Sequence, residues 1–452
     1  MVKMSQDISP REMQKTLREK NIDIVLAQYV DIYGAPKAKA IPIAHFEDFA
    51  TAGALFAGFA VPGMGLGPEQ PDIAAVPDLS TFTILPWKKN VARFACNIHV
   101  DGKPWKFCSR TILQKVMTKA AQKGLLPRIG IEPEFFLIRK TNNGIEVADA
   151  QDDLQKPCYD LKGLTRSLYF LELLISNLKE LGWDAEAADH EDANGQFEVN
   201  LKYDNCVATA DKLTFFKYMI SLLANQHGLI ATFMPKPFPD KTGNGAHIHQ
   251  SLWDIRGEKN LFLDENDKNG LGLSRLAYNY IGGLLKHARA YIAFSAPTVN
   301  SYKRLFGAGS ISGSTWAPVC VTYGGNNRTQ MLRIPAPGRI EDRSVDGSSN
   351  PYLAAAASLA AGLDGVENKI DPGQRNDMDM FEVPKSELKK MGVKLLPHTL
   401  EEALNELEKD DVILDALGRE FCEYYIDFKR QEWHDYHSHV SDWEFRKYLT
   451  LV

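Results

Sequence analysis

The spacing of apolar side chains divides the chain into a short strand-rich region and a longer region where helices alternate with isolated strands. A capping-box pattern at Ser9 and Glu12 predicts that a helix begins there. The β-rich runs on either side of residues 31–34 predict a hairpin, and residues 91–100 indicate a strand of a second pair. We therefore expect a mostly β N-terminal domain over residues 1–105.

Residues 106–452 are expected to form a second, larger domain of mixed elements. Helical periodicity predicts helices at 110–124, 163–181, 209–227, 272–293, 350–363, 399–417 and 419–437. Strands are predicted at 127–139, 196–203, 229–235, 245–253, 319–323 and 329–334. Residues 51–71 are too rich in Gly and Pro for a regular element. The pattern favours an α+β fold in which helices back a curved antiparallel sheet.

Composition excludes several classes of protein. Among the 452 residues, 44% are hydrophobic and 24% charged, and the formal net charge is −6. Such a balance argues against a nucleic-acid or anionic-membrane partner. The six cysteines form no CxxC pair, and no apolar run is long enough to span a bilayer. We therefore expect a cytoplasmic protein with reduced thiols.

The chemistry is indicated by five glutamates and a histidine in four separated strand-like segments with arginines among them. These candidate metal ligands are Glu132, Glu134, Glu191, Glu198, His247 and Glu341. Glutamates two positions apart, such as Glu132 and Glu134, point to the same face of a strand. Oxygen donors with one imidazole suit Mg²⁺ or Mn²⁺.

Each of these motifs by itself also suits a solvated strand or a surface ion-pair network, and only their combination favours a site. Arginines beside the ligands imply an anionic substrate. The combination favours phosphoryl transfer. Since the chain has no Gly-rich phosphate loop, bound ATP would have to be held by metals and arginines.

The residues of these motifs and their order along the chain resemble those of the glutamine synthetase superfamily, and the resemblance covers nearly the whole chain. The motifs that carry the resemblance are EPEFF, EDANGQFE, TGNGAHIHQS, NSYKRL at 300–305, GRIEDR, the long NPYLAAAASLAAGLDGVENKI segment at 350–370 and the VDIYG hairpin. The resemblance implies a β-grasp N-terminal domain and a catalytic domain built on a sheet funnel. It also implies a double-ring dodecamer whose active sites lie between neighbouring subunits.

The resemblance assigns roles residue by residue. One metal would be held by Glu134, Glu191 and Glu198, and a second by Glu132, His247 and Glu341. Arg304, Arg343 and Gly243 would bind the substrate glutamate, Arg328 and Arg333 the transferred phosphate, and Ser251, Arg339 and Glu186 the nucleotide. The implied substrates are ATP, L-glutamate and an amine, joined through a γ-glutamyl phosphate intermediate.

The chain departs from the ammonia-using members at the amine subsite. Ala57, in FAGFA, occupies the position of an acid, and Trp316, in the predicted flap at 307–318, stands where those members have a glutamate. Replacing two carboxylates by apolar groups favours an alkylated amine, because a buried methyl group gains about 0.8 kcal/mol. In this the chain resembles the glutamate–methylamine ligase branch of the superfamily.

Three hypotheses therefore stay open at this point. The first is a ligase that joins glutamate to a small primary amine, methylamine above all. The second is an ordinary ammonia-using enzyme, or a ligase for a bulkier amine such as ethylamine, isopropylamine or aniline. The third is a catalytically inactive scaffold, which the retained metal ligands and arginines argue against.

Overall fold

A computed structural model describes residues 8–142, 144–183, 185–307 and 316–451. Most of the predicted flap at 307–318 therefore lies outside the described residues. Within the described ranges, no helix is long and apolar enough to cross a membrane.

The helices alternate with strands along the chain. They are α1 (Pro10–Glu19), α2 (Phe46–Ala52), α3 (Ser109–Gln122), α4 (Leu161–Arg166), α5 (Leu168–Glu180), α6 (Cys206–Gln226), α7 (Arg275–Ser295), α8 (Ser301–Phe306), α9 (Pro351–Glu367), α10 (Lys385–Lys390), α11 (Leu400–Leu407), α12 (Asp411–Leu417), α13 (Arg419–Ser438) and α14 (Asp442–Tyr448). The capping box predicted for α1 is confirmed, since the Ser9 N–H donates to Glu12 Oε2 at 2.9 Å and the Glu12 N–H donates to Ser9 Oγ at 3.3 Å.

The strands form two sheets. They are β1 (Ile24–Val30), β2 (Pro36–Pro42), β3 (Ala54–Phe56), β4 (Ile73–Pro77), β5 (Thr83–Leu85), β6 (Lys88–Val100), β7 (Lys103–Pro104), β8 (Leu125–Thr141), β9 (Gly144–Val147), β10 (Ala185–His190), β11 (Gln196–Leu201), β12 (Asp204–Asn205), β13 (Ile230–Thr232), β14 (Ala246–Asp254), β15 (Tyr323–Gly324), β16 (Leu332–Arg333) and β17 (Ile340–Asp342). The fold is α+β, as predicted.

The first sheet has the order β2-β1-β6-β4-β3, with β5 and β7 also paired to β6. Strands β1 and β2 form the predicted antiparallel hairpin. Asp31 closes its turn by accepting hydrogen bonds from the backbone N–H groups of Tyr33 at 3.0 Å and Ala35 at 2.9 Å. Strand β6 runs parallel to β1, and the sheet has its own buried core around Leu17, Phe46 and Phe94.

The second sheet has the order β10-β11-β8-β14-β17-β16-β15, and the long strand β8 also pairs with β9, β12 and β13. All of its pairs are antiparallel except β15 with β16. The buried helices α7 and α9 lie behind this sheet, and small residues let them come close. A Cβ on Gly283 would lie 2.1 Å from the backbone oxygen of Ala361, so a larger residue would separate the two helices.

Several predicted elements differ in extent from the observed ones, including the strands predicted at 229–235 and 329–334, of which only Ile230–Thr232 and Leu332–Arg333 are strands. The predicted helix at 399–417 is two helices, because the Asp410 side chain accepts a hydrogen bond from the Ile413 N–H and begins a new one. The predicted helix at 163–181 is likewise interrupted at Ser167. Residues 319–321 do not join the sheet, because their backbone pairs with residues 394–396 instead.

The segment at 51–71 is also less irregular than predicted. It contains the end of α2, the strand β3 and a short 3₁₀ turn at Gly58–Ala60. Strand β3 pairs with β4, and a backbone that joins an existing sheet edge needs little β propensity of its own.

A charged histidine links three of the packed helices. The Nδ1 atom of His287 on α7 lies 2.6 Å from Asp410, and its Nε2 atom lies 2.9 Å from Asp364 on α9. Both ring nitrogens donate only when the imidazole is protonated. Burial opposes this charge, but the hydrogen bonds to Asp410 and Asp364 outweigh burial and raise the pKa of His287 above its ordinary value.

This linkage predicts a pH-dependent contribution to stability. A group whose folded-state pKa is raised stabilises the protein fully below its ordinary pKa, about 6.5 for histidine, and the contribution is lost as the pH rises through the raised value. We expect the His287→Gln variant to be less stable by about 1 kcal/mol near pH 6, since both carboxylates are partly solvent-exposed.

Thermal unfolding of wild type and His287→Gln across the range from about pH 6 to about pH 9 measures this contribution. The gap in melting temperature between them is expected to shrink as the pH rises. The exposed His45→Gln variant serves as a control and is expected to show a small, pH-independent difference. A gap for His287→Gln that widens with rising pH would contradict the assignment.

Candidate active site

The registers of the second sheet bring the predicted metal ligands together. His247 on β14 lies directly opposite Glu132 on β8, and Glu198 on β11 lies opposite Glu134 on β8. Glu341 on β17 is the neighbour on the far side of β14, opposite His249. Residues that are up to 209 positions apart in sequence thus meet across four adjacent strands.

Two groups of side chains at this place have the geometry to hold a cation. In each group, one ligand atom per residue lies within 4.8 Å of the others; the groups are Glu132, His247 and Glu341, and Glu134, Glu198 and His247. The first group matches the predicted second metal site. The second group has His247 where Glu191 was predicted.

Glu191 lies on the wall of the same cavity. Residues lining that cavity are Glu132, Glu134, Cys158, Tyr159, Glu191, Glu198, Thr242, His247, Trp316, Arg328, Arg333 and Arg343. One carboxylate oxygen of Glu191 accepts a hydrogen bond from the Asp192 N–H at 2.8 Å.

The acids of this cavity repel one another in a buried setting. Burial, followed by the nearby charge of Glu134, raises the pKa of Glu191 to about 8. Burial and the charge of Glu191 raise the pKa of Glu198 well above its ordinary value. Burial also lowers the pKa of His247, which keeps its imidazole neutral and able to act as a ligand.

Glu132, which also lines this cavity, has its pKa shifted in the opposite direction. Burial alone would raise the pKa of Glu132, but the neighbouring imidazoles of His247 and His249 lower it below its ordinary value. The Nε2 atom of His249 lies 2.8 Å from Glu132. His249 was not predicted as a site residue, although its position two residues after His247 places it on the same face of the strand.

The donor set fits a hard divalent cation. Both groups consist of carboxylates and one shared neutral imidazole, without a cysteine thiolate. Oxygen-rich sets of this kind suit Mg²⁺ or Mn²⁺ better than Zn²⁺ or copper. A divalent cation would also relieve the repulsion that raises the pKa values of Glu191 and Glu198.

Two of the predicted arginines converge on Glu341. Arg333 donates to its Oε2 at 2.9 Å and Arg343 to its Oε1 at 2.6 Å. The Nε atom of Arg343 and the Nε1 atom of Trp316 are buried without a hydrogen-bond partner in the described part of the chain. Buried donors of this kind normally have a partner, and both residues line the cavity.

The remaining substrate-site residues lie around this cavity at different distances. Arg328 is exposed, and its guanidinium lies 5.9 Å from the ring centre of Trp316. Arg304 is buried behind the wall and donates to the backbone oxygens of Ser344 at 3.3 Å and Arg343 at 3.2 Å. Neither Arg304 nor Gly243 lines the cavity.

Ala57 is not brought to this cavity within one chain. It is exposed and caps the short 3₁₀ turn at Gly58–Ala60 in the first sheet.

The predicted nucleotide-binding residues line an adjoining cavity. Ser251, Arg339 and Glu186 lie together on its wall, and Glu132 lines both this cavity and the metal-ligand cavity. The guanidinium of Arg128 lies 4.2 Å from the ring centre of Trp253 on the same wall.

The sequence reasoning missed the residues that support the ligands from behind. Gln196 is fully buried and donates to Glu134 at 3.2 Å and to the backbone oxygen of Gly243 at 3.1 Å. The Gly245 N–H donates to Glu134 at 2.7 Å. A Cβ on Gly245 would lie 2.7 Å from the Nε2 atom of His247, so only glycine fits this position.

A second buried contact holds the Glu191 hairpin in place. His190 is fully buried, its Nε2 atom lies 2.7 Å from Asp152, and Asp152 also accepts a hydrogen bond from the Gly195 N–H at 2.6 Å. The backbone oxygen of His190 accepts a hydrogen bond from the Tyr159 N–H at 2.9 Å. In the sequence, the contact between His190 and Asp152 was indicated only by the position of His190 beside Glu191.

Comparison with known proteins shows the family of the chain. Residues 21–101 match the glutamine synthetase β-grasp domain, and residues 106–448 match the glutamine synthetase catalytic domain. The chain therefore belongs to the glutamine synthetase family, as its motifs predicted.

Particular relatives are similar over almost their entire lengths. A Methyloversatilis universalis protein named glutamate–methylamine ligase is 47% identical, with 98% of this chain and 100% of that protein covered. A Rhizobium meliloti protein named glutamine synthetase is 45% identical, with 96% and 98% covered. A solved structure of a GmaS/ADP complex superimposes with a TM-score of 0.91 at 44% identity, over 97% of this chain and 99% of that one.

The shared histidine leads to a prediction about metal binding. Because His247 belongs to both groups, the His247→Ala variant is expected to weaken Mn²⁺ binding by at least tenfold, and Glu198→Gln, which removes one ligand from one group, by less. Mn²⁺ titration by calorimetry, with the Mn²⁺-induced rise in melting temperature as a second readout, measures both losses. Glu146→Gln, on the exposed strand β9, is the matched control. Wild-type Mn²⁺ affinity in His247→Ala would rule out this centre.

Proposed function

We propose that this protein is an ATP-dependent ligase that joins the γ-carboxylate of L-glutamate to a small primary amine, with methylamine preferred. The products are the N5-alkylglutamine, ADP and phosphate. Support comes from membership of the glutamine synthetase family and from the relative named glutamate–methylamine ligase. The single observation that carries the proposal is the cavity lined by members of both candidate cation groups and by the two arginines that donate to Glu341.

One metal ion would be held by Glu132, His247 and Glu341, and a second by Glu134 and Glu198 with Glu191 on the same wall, because a neutral imidazole offers a lone pair to only one cation. When bound, Mg²⁺ or Mn²⁺ would neutralise the phosphate charges of ATP.

Arg333 and Arg343 would stabilise the negative charge of the transferring phosphoryl group and of the substrate. Each now donates to Glu341, and Arg343 retains a buried donor without a partner among the described residues. Guanidinium donors that are already fixed in a buried place need little reorganisation when an anion arrives. Arg304, fixed by two backbone oxygens behind the wall, would orient the glutamate through the Gly243–Gly245 loop.

The reaction would proceed in two steps. The γ-carboxylate oxygen of glutamate attacks the terminal phosphorus of ATP, the bond to ADP breaks, and γ-glutamyl phosphate forms. The amine nitrogen then attacks the activated carbonyl carbon, phosphate leaves, and the nitrogen loses a proton. The nearby exposed Arg328 would bind the departing phosphate.

The amine preference rests on Trp316 and Ala57. Trp316 gives the cavity an aromatic wall where ammonia-using members have a carboxylate, and a cation against such a face gains roughly 0.5–2 kcal/mol. That gain is open to ammonium as well, so the discrimination comes from the methyl group, whose burial at about 0.8 kcal/mol favours methylamine roughly fourfold, and from the loss of the two carboxylates that would stabilise the smaller cation. Ala57 would contribute from the neighbouring subunit, since it lies away from the cavity of its own chain.

The assembly and domain structure are proposed on the same basis. We propose a β-grasp domain over residues 1–105, a catalytic domain over 106–452, and a cytoplasmic homo-oligomer, a dodecamer of two rings, whose active sites form between neighbours. Ammonia-dependent glutamine synthesis is the second candidate function, because the 45% identical relative from Rhizobium meliloti is named glutamine synthetase.

A substrate panel separates the two candidates. We expect ATP- and glutamate-dependent phosphate release to have a kcat/KM for methylamine about tenfold or more above that for ammonium, with ethylamine and aniline as larger probes. Equal or higher kcat/KM with ammonium would favour the second candidate. No turnover with any amine, in Mg²⁺ and in Mn²⁺, would favour an inactive scaffold.

The amine subsite is tested by restoring its acids. The double variant Trp316→Glu with Ala57→Asp is expected to shift the ratio of kcat/KM values toward ammonium by at least tenfold, because two carboxylates stabilise the small cation. Trp316→Phe keeps an aromatic wall and is expected to retain the preference for methylamine. If the double variant folds and its amine preference is unchanged, these two positions do not form the subsite.

A further inference from the structure

A further cavity, away from the active site, lies where the first sheet meets helices α3 and α6. Its volume is about 510 Å³, in the range of small-molecule sites. Its wall combines residues of the first sheet with residues of α3 and α6 and is lined by Asp78, Ser80, Thr81, Phe82, Thr83, Arg93, Arg110, Gln114, Trp183, Asn205, Val207, Ala208, Asp211 and Lys212. It shares no residue with the metal-ligand cavity.

One wall residue, Arg93, is a buried cation in which two guanidinium nitrogens lack a hydrogen-bond partner within the described chain. It lies in the middle of β6, between β1 and β5, and is 3% exposed. Its guanidinium lies 4.4 Å from the ring centre of Phe215. Its Nε and Nη1 atoms have no hydrogen-bond partner anywhere in the described chain. A guanidinium stays charged at neutral pH, so this arrangement is costly unless an anion completes it.

The two carboxylates on the wall, Asp78 and Asp211, already accept hydrogen bonds from other residues. Asp211 accepts two hydrogen bonds from Arg110, each at 2.9 Å, and one from the Tyr352 hydroxyl at 2.6 Å. Asp78 accepts from Arg110 at 2.8 Å and from Ser80.

Lys212 is paired with Asp204 at 2.8 Å, outside the cavity wall. With Asp204 counted, this junction holds three cations, Arg93, Arg110 and Lys212, and three carboxylates, and Arg93 is the cation that forms no ion pair within the described residues.

We propose that this cavity is a binding site for a small oxyanion, a carboxylate or phosphate group attached to an apolar or planar body, whose charged end pairs with Arg93. Guanidinium groups bind both kinds of oxyanion with two parallel hydrogen bonds. Phe82, Trp183 and Val207 offer apolar surface for the rest of the ligand. Because the site joins the first sheet to α3 and α6, a bound ligand would connect the two halves of the chain.

Two probes separate the sources of the oxyanion. Benzoate carries a carboxylate on a planar apolar body, and inorganic phosphate carries the other anion alone. Calorimetric titration of the full-length oligomer at constant ionic strength is expected to show one saturable site per chain for at least one probe. Neutral benzamide is expected not to bind. No saturable binding of either anion at millimolar concentration would overturn the proposal.

The position of the bound probe is tested with variants outside the catalytic cavity. Arg93→Gln is expected to weaken binding at least tenfold, whereas Arg18→Gln, on the exposed side of α1, is expected to bind as wild type. Trp183 lines the cavity, so probe binding is also expected to change the tryptophan fluorescence, and Trp183→Phe to lose that change. Unchanged affinity in a folded Arg93→Gln variant would reject the site.

A second variant covers the case in which Arg93→Gln fails to fold. Val207→Phe leaves Arg93 in place and fills the cavity from α6, so it is expected to reduce benzoate binding at least tenfold. Wild-type binding by a folded Val207→Phe variant would contradict the proposal. A structure of the oligomer with a neighbour's carboxylate on Arg93 would also overturn it and make this face a subunit contact.

Discussion

Mutual repulsion among buried carboxylates is the constraint on which the active-site region depends. Glu134, Glu191 and Glu198 share one buried cavity, and burial raises the pKa values of two of them. Such a cluster persists only because rigid strands hold the side chains, with Gln196 and the Gly245 N–H donating to Glu134 from behind. The carboxylates that repel one another in the protein alone would together attract a bound cation.

Ion pairing also fixes the groups around Glu341, on the same face of the sheet. Glu341 is fully buried and is paired with Arg333 and Arg343. Those guanidinium groups therefore hold their positions beside the cavity before any substrate binds, which is the preorganisation that stabilises developing charge. At the junction between the sheets, Arg110 joins Asp78 to Asp211 in a similar way. Arg93 is the cation of this junction that the described chain leaves unmatched.

Much of the fold could be predicted from local signals. The capping box of α1, the β1–β2 hairpin and the strands of the ligand motifs are encoded by neighbouring residues and appear as expected. The errors occur where distant backbone competes with local preference. Residues 319–321 pair with 394–396 rather than joining the sheet, and Asp410 interrupts a continuous helical pattern because its side chain caps a new helix.

The sequence by itself determined which residue types were available for the chemistry and, through the order of its motifs, the family to which the chain belongs. The tertiary structure decided which of them meet. Strand register placed His247 between Glu132 and Glu341, and also within reach of Glu134. Arg304, in contrast, lies behind the cavity wall, and Arg93 became an unpaired buried charge. Whether a side chain is buried, and which groups it pairs with, depend on contacts between residues far apart in sequence, which no local pattern contains.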